Sequence, residues 1–166
     1  MQHRRVTIRL ALVLMLNFTT TLAVLTFFSL AISSARGQSS ANFTGHWRQN
    51  TNSSTQRQLE VEQNQKILLV RTIVTNSQGT RRLEVKYEIG GAPTTYTGFD
   101  GDQFRSSVHW EQRTLIFETI ENEGGQKIPQ KSVWTLLDDG NTLQLDRSVT
   151  KSGKTMNSST AYVRQP

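Results

Sequence analysis

From Arg82 to Ile89 the chain reads Arg-Leu-Glu-Val-Lys-Tyr-Glu-Ile, with charged and apolar residues in strict alternation. Only an extended strand sends every second side chain to the same face, so this segment is a strand with one wet and one dry face. The same period returns where Phe104, Ser106, Val108 and Trp110 alternate with Arg105, Ser107, His109 and Glu111. It returns again where Leu143, Leu145, Arg147 and Val149 alternate with Thr142, Gln144, Asp146 and Ser148. Residues 43–49, 57–63, 66–75, 94–98, 113–120, 131–137 and 154–164 complete a series of short strands. Between them stand turn residues: Asn64-Gln65, Asn76 to Gly79, Gly90 to Pro93, Asp100-Gly101, Glu123 to Gly125, Asp138 to Asn141 and Ser152-Gly153. Strands joined by loops this short pair with their neighbours as an antiparallel meander. A meander exposes two edges, and closing into a barrel removes them. The expected fold is therefore all-β, an up-and-down barrel of about 8–10 strands.

Composition agrees once the first 41 residues are set aside. Residues 42–166 hold 36 apolar residues in 125, too few for a helical core but enough for a wall that is dry on one side. They carry 15 Lys/Arg against 13 Asp/Glu, so the formal charge of +6 belongs mostly to the leader. That near-neutral balance disfavours a nucleic-acid-binding surface. The absence of cysteine excludes a disulfide framework and a thiolate metal site.

The leader has the layout of an export signal. Arg4, Arg5 and Arg9 precede an apolar run at residues 10–32, and small residues follow. Residues 1–35 read as a cleaved signal, with the cut after Ala35 or after Ala41. The alternative is a retained anchor, because the run is also long enough to cross an inner membrane. Either way the arginines stay inside and the barrel, residues 43–166 behind a linker at 36–42, lies in the periplasm or outside the cell.

The first strand carries Asn42-Phe43-Thr44-Gly45-His46-Trp47. This Gly-x-Trp resembles the opening of the calycins, the lipocalins and fatty-acid-binding proteins. Val108 to Ile116 and Val133 to Leu143, with Asp146-Arg147 after them, resemble small exported bacterial lipocalin-like proteins without an assigned activity. The resemblance implies that Trp47 closes one barrel end behind Gly45, under a basic residue from a late strand, Arg164 or Arg147. Two departures stand out. Residues 49–56 are too short for the helical lid of fatty-acid-binding proteins, and the terminal Arg-x-Tyr of those proteins is here reversed, Tyr162-Val163-Arg164.

Two arginines fall in phase with apolar neighbours: Arg147 with Leu143 and Leu145, Arg71 with Leu69 and Ile73. An inward Arg needs a partner: an anionic ligand such as a fatty acid, an internal carboxylate with Glu118 a candidate, a contact with Trp47, or a barrel-rim position where it reaches water. Tyr87, Tyr96, Phe99, Phe104, Val108, Trp110, Phe117 and Val133 are candidates to line a cavity, with Ser106 and Thr135 as its polar points. The candidate ligand contacts are thus Arg147, Arg71, Trp110, Phe104 and Tyr87. His46 and His109 fall on the wet phase, so no haem or metal is expected. Asp100-Gly101-Asp102 resembles the start of a calcium loop, but Phe104 and Arg105 occupy ligand and glycine positions, leaving a hairpin turn. No nucleophile, phosphate-binding or zinc motif occurs, so no catalytic residue and no cofactor are assigned. The expectation is a non-enzymatic, monomeric or weakly oligomeric barrel that binds a small hydrophobic or amphipathic ligand and meets a membrane only through its leader. The alternatives are a packed envelope protein that binds no small molecule, and a small enzyme built on an interior Arg and carboxylate.

Overall fold

A computed structural model describes residues 41–166; the signal or anchor and most of the linker lie outside the described residues. Ten strands follow in order: β1 Gly45–Gln49, β2 Gln56–Gln63, β3 Ile67–Asn76, β4 Gly79–Glu88, β5 Thr94–Thr97, β6 Gln103–Glu111, β7 Thr114–Glu123, β8 Gln126–Leu137, β9 Thr142–Lys151 and β10 Lys154–Gln165. All pair antiparallel in one sheet of order β4-β3-β2-β1-β10-β9-β8-β7-β6-β5. The first and last strands therefore meet in mid-sheet, with Trp47 opposite Arg164 and Gln49 opposite Tyr162. The seam lies between β4 and β5. It is bridged by a parallel contact of Ile89 with Val108, by Gly90 N–H donating to Val108 O at 2.7 Å, and by Thr94 Oγ1 donating to Lys86 O at 3.0 Å. The result is a nearly closed barrel, as the alternation and turn residues predict.

Turn chemistry holds the register. Gly124 and Gly125 at φ +57° and +89°, and Ser152 and Gly153 at +51° and +76°, make two-residue loops whose left-handed pairs match strand twist. In a meander alternate turns share an end. The β1–β2, β3–β4, β5–β6, β7–β8 and β9–β10 loops therefore ring one end of the barrel. The chain entry at Ala41 and the β8–β9 turn at Asp138–Gly140 lie at the other.

That second end is plugged. Phe43 is fully buried, stacks on Trp110 at 5.9 Å and meets the edge of Trp134 at 6.0 Å. Gln63 pins the entry segment, accepting from Phe43 N–H at 2.9 Å and donating to Ala41 O at 3.0 Å. Ala41 is itself buried, so the packed unit begins before the strand pattern does. Among the described residues no helix is long and apolar enough to cross a membrane.

Candidate functional site

Gly45, Trp47 and Arg164 build the lock of the plugged end. Trp47 is buried and donates from Nε1 to Phe43 O at 2.9 Å. The Arg164 guanidinium lies 4.2 Å from its ring centre, close enough for cation–π attraction. Arg164 also donates from Nε to Gly140 O at 2.9 Å and from Nη1 to Thr44 O at 2.6 Å. Gly45 is required beneath it. Its φ is +148°, and a Cβ there would sit 2.5 Å from Arg164 Nη1. Of the two basic residues that the resemblance offers for this place, Arg164 takes it and Arg147 does not.

Above the plug the barrel encloses a cavity of about 710 Å³. Leu59, Val70, Leu83, Tyr87, Tyr96, Phe104, Phe117, Trp134 and Leu145 supply its apolar wall. Tyr87 stands edge-on to Phe117 at 5.4 Å and to Tyr96 at 6.1 Å, and Tyr96 stacks on Phe104 at 5.3 Å. Burial, reinforced by Tyr96, pushes the Tyr87 phenol well above its ordinary value, so it stays neutral. Towards the ringed end the lining turns polar and charged: Arg57, Arg81, Arg147, Glu121, Asp100, Gln130 and Ser158.

These groups form two sets that meet at the seam, where Arg81 reaches Phe99 beside Asp100. On β7 to β9, Arg147 donates to Gln130 Oε1 at 2.6 Å, and Gln130 Nε2 donates to Glu121. Desolvation pushes the Glu121 carboxyl up, Arg147 pulls it back, and Asp100, Asp102 and Glu123 add like-charge repulsion. Asp100, Asp102 and Glu121 bring carboxylate oxygens within 4.8 Å of one another. On β2 to β4, Arg57 and Arg81 both stand in register with Val74 of β3. Arg81 crosses the seam, donating to Phe99 O at 3.2 Å and lying 5.2 Å from the Phe99 ring centre. Burial pushes the Tyr162 phenol up and the charge of Arg57 pulls it back.

Sequence phase locates some of these residues and misplaces others. Arg147, Phe104, Tyr87, Tyr96, Phe99 and Phe117 do line the cavity. Arg71 does not: it lies on the outer wall, bonding Glu84 at 2.5 Å and Glu62 at 2.6 Å, with Glu60 at 4.0 Å. Leu68, Val70 and Val74 are the buried residues of β3, while Ile67, Leu69 and Ile73 share the outer face with Arg71. Trp110 belongs to the plug, stacked on Phe43, and Val108 packs in the same core. Glu118 is exposed opposite Lys131, because β7 turns Leu115, Phe117, Thr119 and Glu121 inward. Val133 and Thr135 face outward because Ser132 and Trp134 take the inner phase of β8. Ser106 is buried and bonded to Thr119 Oγ1 at 2.8 Å. His46 is exposed, and His109 lies 3.4 Å from Glu111. Arg57, Arg81, Glu121 and Trp134 went unmarked in the sequence. Arg57 shares the phase of Leu59 and Val61, and Arg81 that of Leu83, Val85 and Tyr87.

No protein-family model matches the chain, and no curated protein matches it in sequence. Solved structures match its fold. The REP1-NXSQ fatty acid transporter superposes with a TM-score of 0.58 at 10% identity, over 74% of this chain and 96% of its own. The chain shares the fold of that transporter, a nearly closed antiparallel β-barrel. Secretory abundant heat soluble protein 4 from Ramazzottius varieornatus matches with a TM-score of 0.56 at 14% identity, over 75% of this chain and 95% of its own. Zebrafish ileal bile acid-binding protein, solved with cholic acid, matches with a TM-score of 0.51 at 12% identity, over 74% and 98%. In this chain the loop between β1 and β2 spans only residues 50–55, too short for the helical lid.

Proposed function

We propose that this protein is an exported, non-enzymatic carrier barrel that holds one small hydrophobic or amphipathic molecule in its lumen. The observation that carries the reading is the cavity of about 710 Å³ above the Trp47 plug, with an apolar wall below and charged groups above. Sites for small ligands span roughly 300–1,000 Å³ and combine an apolar lining with a few polar groups. A barrel of this size either fills with side chains or keeps room for one ligand. The fatty acid transporter and the bile acid-binding protein with which it shares its fold support the same reading.

The test is a titration with anilinonaphthalene sulfonate, whose emission rises in apolar surroundings. One saturable site is expected. Ser132→Phe, which pushes a ring into the cavity, should weaken binding by about tenfold or more while the β-sheet dichroism stays unchanged. A folded wild type without a saturable site, or a variant that binds as well, would leave the packed-barrel reading in its place.

Export rests on the leader sequence. A mature chain beginning at Arg36 would keep the buried Ala41 in the plug, and mass spectrometry of the native N-terminus reads this directly. An intact Met1 in the membrane fraction would point to the retained anchor.

A further inference from the structure

Two strands of the sheet lack a full neighbour on one side, and their edges are finished differently. The first is β4 along the seam. It carries Arg81, Arg82, Glu84, Lys86 and Glu88, charges that deter a foreign strand, and Arg81, Lys86 O and Gly90 tie it to the far side. The second is the outer part of β10. β1 ends at Gln49 opposite Tyr162, and Asn50 N–H makes a last bond to Ala161 O at 2.9 Å. From Lys154 to Thr160 the strand pairs with β9 alone. The β1–β2 loop is bonded within itself, Ser53 N–H to Thr51 Oγ1 and Thr55 N–H to Ser53 Oγ. Every residue from Lys154 to Ser159 is exposed.

Ala161 O faces β1, whereas Arg164 N–H donates to Asn141 O on the β9 side. Both backbone groups of a residue in an antiparallel strand point the same way, so Thr155, Asn157 and Ser159 share the phase of Ala161 and point theirs away from β9. None of these groups has a partner among the described residues. The strand is also held ready to pair. On its outer face Thr155 bonds Thr150 at 2.9 Å, Asn157 bonds Ser148, and Ser159 donates to Asp146 Oδ1 at 2.6 Å. An edge already fixed in the extended form loses little freedom on pairing. Residues 155–160 contain no proline and no charge, the usual guards of an exposed edge.

The sequence of this edge complements itself. An antiparallel pair centred on Asn157 sets Thr155 against Ser159 of the second copy and Asn157 against its own counterpart, which satisfies all three open residues of each copy. Lys154 then meets Thr160, so no like charges are opposed. Met156, at 51% the most exposed large apolar side chain among the described residues, gains Ser158 of the second copy as a neighbour. We propose that this protein forms a two-fold dimer through the outer half of β10, joining the sheets of two barrels edge to edge. The pairing runs through backbone groups and does not depend on what the cavity holds.

The test is sedimentation equilibrium over a range of concentrations, on the protein as its own source processes it and on variants made there. A monomer–dimer equilibrium is expected. Asn157→Pro removes the central outward N–H and no bond to β9, so it should raise the dimer Kd by about tenfold or more with the β-sheet dichroism unchanged. Asn157→Lys and Asn157→Glu should each be monomeric alone, through like charges at the two-fold axis, and should pair with each other when mixed. That rescue separates a broken interface from a misfolded variant. Arg82→Glu, on the guarded edge, should leave the dimer intact. A dimer that survives the Asn157 substitutions, or that Arg82→Glu disrupts in their place, would overturn the proposal. A wild type monomeric at every concentration would overturn it as well and leave the edge to a strand of another protein.

Discussion

The two ends of the barrel solve opposite problems with similar residues. At the plugged end an arginine is fully engaged: Arg164 covers Trp47 and takes two backbone carbonyls. At the ringed end Arg57 and Arg81 face the lumen without an ion-pair partner among the described residues. The first arrangement ties its guanidinium to the indole and to two backbone carbonyls, which stabilises the fold. The second leaves two exposed guanidinium groups without an ion pair among the described residues, Arg81 resting on Phe99. On the carrier reading proposed above, structure and binding are separated along the barrel axis.

The largest expected effect breaks the plugged end. Trp47→Ala should lower unfolding stability by about 3–5 kcal/mol, because a buried indole leaves a cavity and Arg164 loses its platform. Gly45→Ala should follow at about 2 kcal/mol, since its Cβ must displace Arg164 from a backbone held at φ +148°. Denaturant titration measures both. If neither moved the midpoint, the lock would not be the main support of this end.

At the ringed end substitutions should act on binding and hardly on stability. Arg57→Gln should leave the unfolding midpoint within error of wild type while weakening binding of anilinonaphthalene sulfonate. A large loss of stability there would blur the division between the ends.

Glu121 sharpens the comparison further, because its carboxyl is pushed above its ordinary value of 4.5. A raised acid is a penalty that is absent at low pH and grows as pH rises through the raised value. Glu121→Gln should therefore raise the melting temperature at neutral pH by roughly 1–2 °C, a gain kept small by solvent screening. The gain should disappear below pH 4.5. An equal gain at both pH values would mean that packing, not charge, governs the site. The smallest effect is expected on the outer wall. Arg71→Gln should leave both stability and binding unchanged, because its ion pairs lie in water.

The barrel was legible in the sequence because β4 and β6 alternate cleanly and left-handed turn residues punctuate the strands. The plug was legible in Gly45-x-Trp47 and a late arginine. The cavity was only half legible, since phase decides what lines it and three strands carry apolar residues in both phases. On β3, Ile67 to Val70 is an unbroken apolar run, and the outer Ile67, Leu69 and Ile73 pack against neighbouring strands. Arg71 was assigned to the lumen for that reason. On β7, Leu115, Ile116 and Phe117 are all buried, so Glu118 and Glu121 could not be told apart by pattern. On β8, Val133 and Trp134 compete in the same way. Register against the cleanly alternating strands resolves each case, and register is a property of the assembled sheet.

Native mass spectrometry of the protein isolated from its own source tests the central claim most directly. The account predicts a folded chain carrying one amphiphile, released by organic solvent and lost in Ser132→Phe. A wild type at its bare mass, with no amphiphile bound when one is added back, would contradict it.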